Sequence, residues 1–172
     1  QTSEFEITAE ANPESFSEEK AKVFSHGQVN RDSLGIQSLQ PDVLRAYDRA
    51  HSAEQALQAL GRIKRVFSQC NVDMIYAFPG QHPESFFSDL EKLLAYSPDH
   101  FSCYELSYEP GTALTKKEMR GNGTRKTLTY VKNFSWRFMR YFLAINIPTM
   151  KFQILRWTIL PVGTTSPHGE PL

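Results

Sequence analysis

Four short apolar runs, each ending in polar residues, constrain what this chain can fold into: EFEITAEANPE, RDSLGIQSLQ, NVDMIYAFPGQ and HFSCYELSYEPG. The first three lead into stretches with helical apolar spacing. A strand followed by a helix, repeated, builds a parallel sheet, and ligands in such folds gather where the strands end. Those ends carry Glu10, Asn12, Gln37, Asp73, Tyr76, Gln81 and Glu105. That much polarity beside apolar runs points to a ligand-bearing rim.

The spacing predicts strands over about 5–9, 31–36, 72–76 and 101–106. Ser17 can cap a helix over 18–26, with Glu18 and Glu19 in its favourable first turn. Pro41 can open a short helix reaching Tyr47. Ser52 and Gln55 have the spacing of a capping box, followed by one apolar stripe of Ala56, Leu60, Ile63 and Phe67. Phe86, Phe87, Leu90, Leu93 and Leu94 predict a helix over 84–95 that faces a sheet. Pro79–Gly80 and Pro110–Gly111 punctuate the strand exits as turns. The expected fold class is α/β, a partial (β/α) barrel with parallel strands, whose outer edges lie open where further strands belong.

The 172 residues suffice for one domain with a sizeable core. No run approaches the roughly 20 apolar residues that cross a bilayer, and no basic-then-apolar leader opens the chain. Cys70 and Cys103 sit in or beside predicted strands, which favours two buried thiols over a disulfide and a reducing cytoplasmic location. Two cysteines far apart cannot alone supply a metal or iron–sulfur site. The net charge of zero hides a division: residues 1–114 hold 17 acidic and 9 basic side chains, residues 115–172 hold 2 and 10. The aromatics Tyr130, Phe134, Trp136, Phe138, Tyr141 and Phe142 fall partly on helical spacing. The final stretch, PTMKFQILRWTILPVGTTSPHGEPL, shows neither a strand–turn rhythm nor a capped helix. The basic end is therefore expected to be an atypical tail, with no nucleic-acid partner.

Each rim residue has two readings. Glu10 can accept hydrogen bonds from ligand hydroxyls or an amine, or be a solvated strand-end charge. Gln37 can both donate to and accept from a ligand, or be a turn residue. Asp73, inside VDMIY, needs a partner if buried, so a ligand or structural hydrogen bond is favoured over a free charge. Arg49 can pair with a carboxylate in bidentate fashion or close a helix-end salt bridge. His51 and His82 lack metal-ligand spacing and read most simply as loop residues.

The segments EITAEANPE, VNRDSLGIQSLQPDVLRAYDRAHS, VDMIYAFPGQ and SCYELSYEPGTAL, in this order, resemble the middle of the radical S-adenosylmethionine proteins. Within them the likeness is to the branch of HemW-like haem chaperones and oxygen-independent coproporphyrinogen III oxidases. It covers about residues 1–120. The resemblance implies a partial radical-SAM (β/α) barrel that, in the intact family protein, carries S-adenosylmethionine and a [4Fe-4S] cluster. It implies that Glu10 contacts the amino-acid or ribose part of that cofactor. Gln37 would face the methionyl or ribose portion, Arg49 would pair with the methionine carboxylate, and Asp73 would bind the ribose. Haem or porphyrin, and haem-acceptor proteins, are the implied partners. ANPES, SLGIQS and CYELSYEPGT favour the chaperone; radical decarboxylation of propionate side chains is the alternative, and a degenerate non-catalytic interaction module the third.

The chain also departs from the family pattern. The cluster-binding Cys-xxx-Cys-xx-Cys loop and the GGGTP strand end do not occur in it. AYDRAHS stands where LGRxHS is common, and AFPGQ replaces GLPGQ. The expectation is a fragment that lacks the cluster-binding part, binds no cluster itself and has no catalytic residue. A single-base shift in one possible coding of IPTMKFQIL yields YTHYEISNF, similar to a YEISNFAR-like family segment. Residues 121–172 are therefore expected to be frameshifted or disordered.

Overall fold

The computed structural model describes residues 5–78 and 81–105, the helical residues Arg137, Arg140 and Tyr141, and the strand 151–155. Strands β1 (Thr8–Ala11), β2 (Arg31–Gln37), β3 (Gln69–Tyr76), β4 (His100–Glu105) and β5 (Lys151–Leu155) form one sheet in chain order. Every neighbouring pair is parallel. Helices α1 (Glu18–His26), α2 (Pro41–Ala46), α3 (Ala53–Val66) and α4 (Pro83–Leu94) lie on the connections from β1 to β4. This is the expected partial (β/α) barrel with parallel strands.

The helices begin where local chemistry starts them. Ser17 accepts from the Lys20 amide ahead of α1, while Glu18 and Glu19 meet the positive end of the helix. Ahead of α3 both halves of a capping box form: the Gln55 amide donates to Ser52 Oγ at 3.2 Å, and the Ser52 amide donates to Gln55 Oε1 at 2.7 Å. Pro41 opens α2 and Pro83 opens α4, where a missing N–H costs nothing.

Side chains alternate across the sheet. Leu34 and Ile36 of β2, Cys70, Val72, Met74 and Tyr76 of β3, and Phe101 and Cys103 of β4 are buried. They join one core with Ala21, Ala56, Leu60, Ile63, Phe86, Leu90 and Leu93 from the helices. Both cysteines are free thiols in this core, as expected. Burial pushes the Cys70 thiol up to about 12 and the Cys103 thiol higher still.

Strand β1 starts at Thr8 rather than near residue 5, because pairing begins at Thr8 opposite Arg31. Before that point Asn30 substitutes for a strand partner: its Oδ1 accepts from the Ile7 amide at 3.0 Å and its Nδ2 donates to the Phe5 carbonyl at 2.7 Å.

The C-terminal stretch differs from the sequence reading, which placed no strand there and left the β4 edge open. Lys151–Leu155 pairs along β4 from His100 to Tyr104. The Lys-Phe-Gln-Ile-Leu alternation has strand period, but no turn or cap residues flank it to reveal this from sequence. Arg137 reaches Glu84 of α4 at 2.6 Å, and Tyr141 stacks on Phe87 with ring centroids 4.6 Å apart. The Tyr141 hydroxyl also donates to Glu91 at 3.4 Å. Positions 84, 87 and 91 share one face of α4, so this helical segment lies along it. The other tail expectations, including the spacing of Tyr130, Phe134, Trp136, Phe138 and Phe142, and the Pro79–Gly80 and Pro110–Gly111 turns, lie outside the described residues.

Asp32 breaks the pattern of the core. It is fully buried at a helix-facing position beside Cys70, and neither carboxylate oxygen has a hydrogen-bond partner. Burial, reinforced by the negative charge of Asp73, raises its carboxyl to about 7. The folded chain therefore keeps a proton that the unfolded chain releases near pH 4. Asp32's contribution to stability is greatest below that pH and is lost as the pH rises through about 7. Three pH units correspond to at most about 4 kcal/mol. Asp32→Val is expected to raise stability at pH 7.5 by about 2–4 kcal/mol and to flatten the loss between pH 4 and 7, measured by urea unfolding. Equal midpoints for the two chains at pH 7.5 would refute the reading.

Candidate functional site

The face of the sheet opposite the helices is polar. Strand register sets Glu10, Ser33, Asn71 and His100 in one row, and Gly35, Asp73 and Ser102 in the next row towards the strand ends. Asn71 is the hub of these rows. Its Nδ2 donates to Ser33 Oγ at 2.7 Å and to Asp73 Oδ1 at 2.8 Å. Its Oδ1 accepts from Ser102 Oγ at 3.1 Å and from His100 Nδ1. Ser33 Oγ in turn donates to Asp73 Oδ2 at 2.9 Å. Asp73 thus has one donor on each oxygen and keeps lone pairs for a third group. Tyr104 faces the same space: burial first, then the charge of Asp73 and, more weakly, that of Glu10, raise its phenol.

A second cluster forms where β1 and β2 end. Arg49 Nη1 donates to Asn12 Oδ1 at 3.3 Å. Gly35 makes room here, since a Cβ on it would lie 3.0 Å from Gln37 Nε2 and 3.2 Å from Asn12 Oδ1. Gln37 closes β2 with a φ of 67°, and Ala77 follows β3 with a φ of 64°. Left-handed backbone at a residue with a side chain costs roughly 1–2 kcal/mol, and such strain concentrates at functional sites.

Helix α4 pins the loop after Gln37. The buried Asp89 accepts from the Leu39 amide at 2.8 Å, from Gln40 Nε2 at 2.6 Å and from Ser38 Oγ at 3.1 Å. Burial raises its carboxyl, and these three donors oppose the rise.

The four residues singled out from sequence therefore stand on one rim in two groups. Glu10 and Asp73 share the space around Tyr104, and Gln37 and Arg49 meet around Asn12 and Gly35. Gly35 lies beside Asp73 in register and joins the groups. Sequence reasoning gave no ligand role to Ser33, Asn71 or Tyr104. The available signal was their alternation with core residues on the same strands. His51, read as a loop residue, is buried. Among the described residues no cluster of His, Cys, Asp and Glu could hold a metal ion. Also among them, no helix is long and apolar enough to cross a membrane.

Comparison with known proteins fits this architecture. The profile of the Radical SAM superfamily matches residues 1–94. The heme chaperone HemW of Lactococcus lactis subsp. lactis (strain IL1403) is 38% identical over 117 residues, 67% of this chain and 31% of that protein. The mitochondrial radical S-adenosyl methionine domain-containing protein 1 of Danio rerio is also 38% identical over 117 residues, 67% of this chain and 26% of its own length. The chain thus spans about a third or less of these relatives. Among solved structures, the coproporphyrinogen III oxidase HemN of Escherichia coli superposes with a TM-score of 0.64 at 22% identity. That match covers 79% of this chain and 32% of the oxidase, and at this identity it speaks for the fold alone.

Asn71→Ala is expected to cost about 2–4 kcal/mol in chemical denaturation, because it removes at once the bonds to the buried Ser102 and to the half-buried Ser33, Asp73 and His100. A loss below about 1 kcal/mol would mean that the network does not hold this face together.

Proposed function

The chain belongs to the radical SAM superfamily, and from that premise we propose that it forms one wall of the S-adenosylmethionine site of a HemW-like haem chaperone. The carrying observation is the charge arrangement of the rim: the Arg49 cation and Gln37 amide on one side, the Glu10 and Asp73 carboxylates on the other. S-adenosylmethionine has matching parts. Arg49 suits its carboxylate, Glu10 its ammonium or ribose, Gln37 its methionyl or ribose portion, and Asp73 the ribose hydroxyls. The orienting bonds from Ser33 and Asn71 aim Asp73 before any ligand arrives, which lowers the ordering cost of binding.

A [4Fe-4S] cluster does not fit the residues present. It needs several thiolates around one space, whereas Cys70 and Cys103 are buried in the core and their thiols are held protonated. In our reading the cluster ligands belong to a part of the family protein that these 172 residues do not include. Residues 1–120 are then the middle of the barrel, and 121–172 a basic atypical segment beside it. When bound in the complete site, the cofactor supplies the radical chemistry of the superfamily. The complete protein would act in the cytoplasm and pass haem to acceptor proteins, and this chain alone would be inactive. Radical decarboxylation of coproporphyrinogen is the competing activity for the complete protein.

Half a site without its iron anchor is expected to bind S-adenosylmethionine with a Kd in the millimolar range, about -4 kcal/mol. Arg49→Ala and Asp73→Asn should each abolish the signal in an NMR titration. Unchanged binding in both variants would remove this wall from the cofactor site. After anaerobic incubation with iron, sulfide and reductant, the desalted chain is expected to retain no stoichiometric iron. One cluster per chain would contradict the proposed division of the site.

A further inference from the structure

We propose that His51 is a doubly protonated clamp that positions the Asn12–Gln37–Arg49 side of the rim; its purpose rests on the S-adenosylmethionine reading, but its chemistry does not. His51 is 3% exposed. Its Nδ1 lies 3.0 Å from Glu14 Oε2 and its Nε2 lies 3.1 Å from the Ile36 carbonyl oxygen. The carbonyl can only accept. Glu14 keeps 32% of its side chain in solvent, where an ionised carboxylate is also only an acceptor. A neutral imidazole has one N–H, so one of its nitrogens would turn a lone pair towards an acceptor. The imidazolium has two N–H groups and satisfies both partners, with Glu14 balancing the charge.

The clamp sits where the sheet needs it. The β2–β3 register shifts between Gly35 and Gln37, which takes Ile36 out of the regular ladder. Its carbonyl accepts instead from the Ser38 amide at 2.8 Å and from His51. The peptide that follows this carbonyl carries Gln37, the residue with left-handed backbone. Glu14 lies two residues after Asn12, and His51 two residues after Arg49. The Arg49–Asn12 bond therefore closes a ring of contacts: Asn12, Glu14, His51, Arg49. Glu14 from the β1–α1 connection and Arg49 from the clamp's own segment are the charged groups of this ring; β2 contributes only a carbonyl. His51 acts through these neighbours, so it is a positioning residue.

The test uses the full chain labelled with 15N, its His51 signals assigned by their loss in His51→Gln. In long-range 1H–15N spectra at pH 7, both ring nitrogens of His51 are expected at protonated positions. Glu14→Gln keeps an acceptor oxygen and removes the charge. It should leave a neutral ring with Nε2–H still on Ile36, and should move the amide signals of Asn12, Gln37 and Arg49 but not those of Leu93 and Cys103. It should also weaken S-adenosylmethionine binding roughly tenfold. A bare ring nitrogen in the wild-type chain at pH 7, or unmoved Asn12, Gln37 and Arg49 signals in Glu14→Gln, overturns the clamp. Wild-type affinity in that variant, with the ring signature and amide shifts as expected, overturns only the cofactor purpose of the clamp. A wild-type chain that shows the clamp signature but no response to millimolar S-adenosylmethionine sinks the cofactor reading and leaves the clamp standing.

Discussion

The five strands among the described residues run in one direction, and the rest of the structure depends on this. Parallel neighbours cannot be joined by tight hairpins, so each connection must carry the chain back across the sheet. Helices α1, α3 and α4 share one core with the sheet on one face. The opposite face is then free to be polar, and all strand ends fall on one rim. Glu10, Gln37, Arg49 and Asp73 are spread over more than sixty positions of sequence, yet topology brings them to that rim.

The rim is shaped by buried polar groups beneath it as much as by the strands. Asp89 reaches from α4 to hold the Ser38–Gln40 loop, and His51 ties Glu14 to Ile36. Between these two anchors sits Gln37 with its left-handed backbone. A strained residue persists only where its surroundings over-determine it. Asn71 does the same for Asp73 across the polar face. Asp32 is the counterexample: buried as deeply as Asp89, it has no donors, and its effect is a cost. Partnering, not burial, separates a buried carboxylate that organises a fold from one that burdens it.

The join to the C-terminal segment follows the same physics. An exposed parallel edge offers a row of unpaired backbone groups, and β5 takes those of β4. The Glu84–Arg137 pair and the Phe87–Tyr141 stack set a helical segment against α4, so the strand–helix alternation extends past the region where sequence motifs show it.

By itself, the sequence determined the elements from β1 to β4 and their order. The capping chemistry at Ser17 and Ser52, the prolines opening α2 and α4, and the apolar stripe from Ala56 to Phe67 are local signals, and local interactions suffice to produce them. Glu10, Gln37 and Asp73 were legible because polar side chains at the ends of apolar runs are conspicuous; Arg49, which follows α2, carries no such signal. What only the tertiary structure decided was pairing over long separations. Nothing near His51 foretells that both its nitrogens find acceptors 37 and 15 residues away. Nothing near Asn71 foretells partners on β2 and β4, or near Asp32 the lack of any. The β5 strand escaped notice for the same reason: a five-residue alternation gains its stability from the edge it covers, and that edge exists only once the sheet has formed.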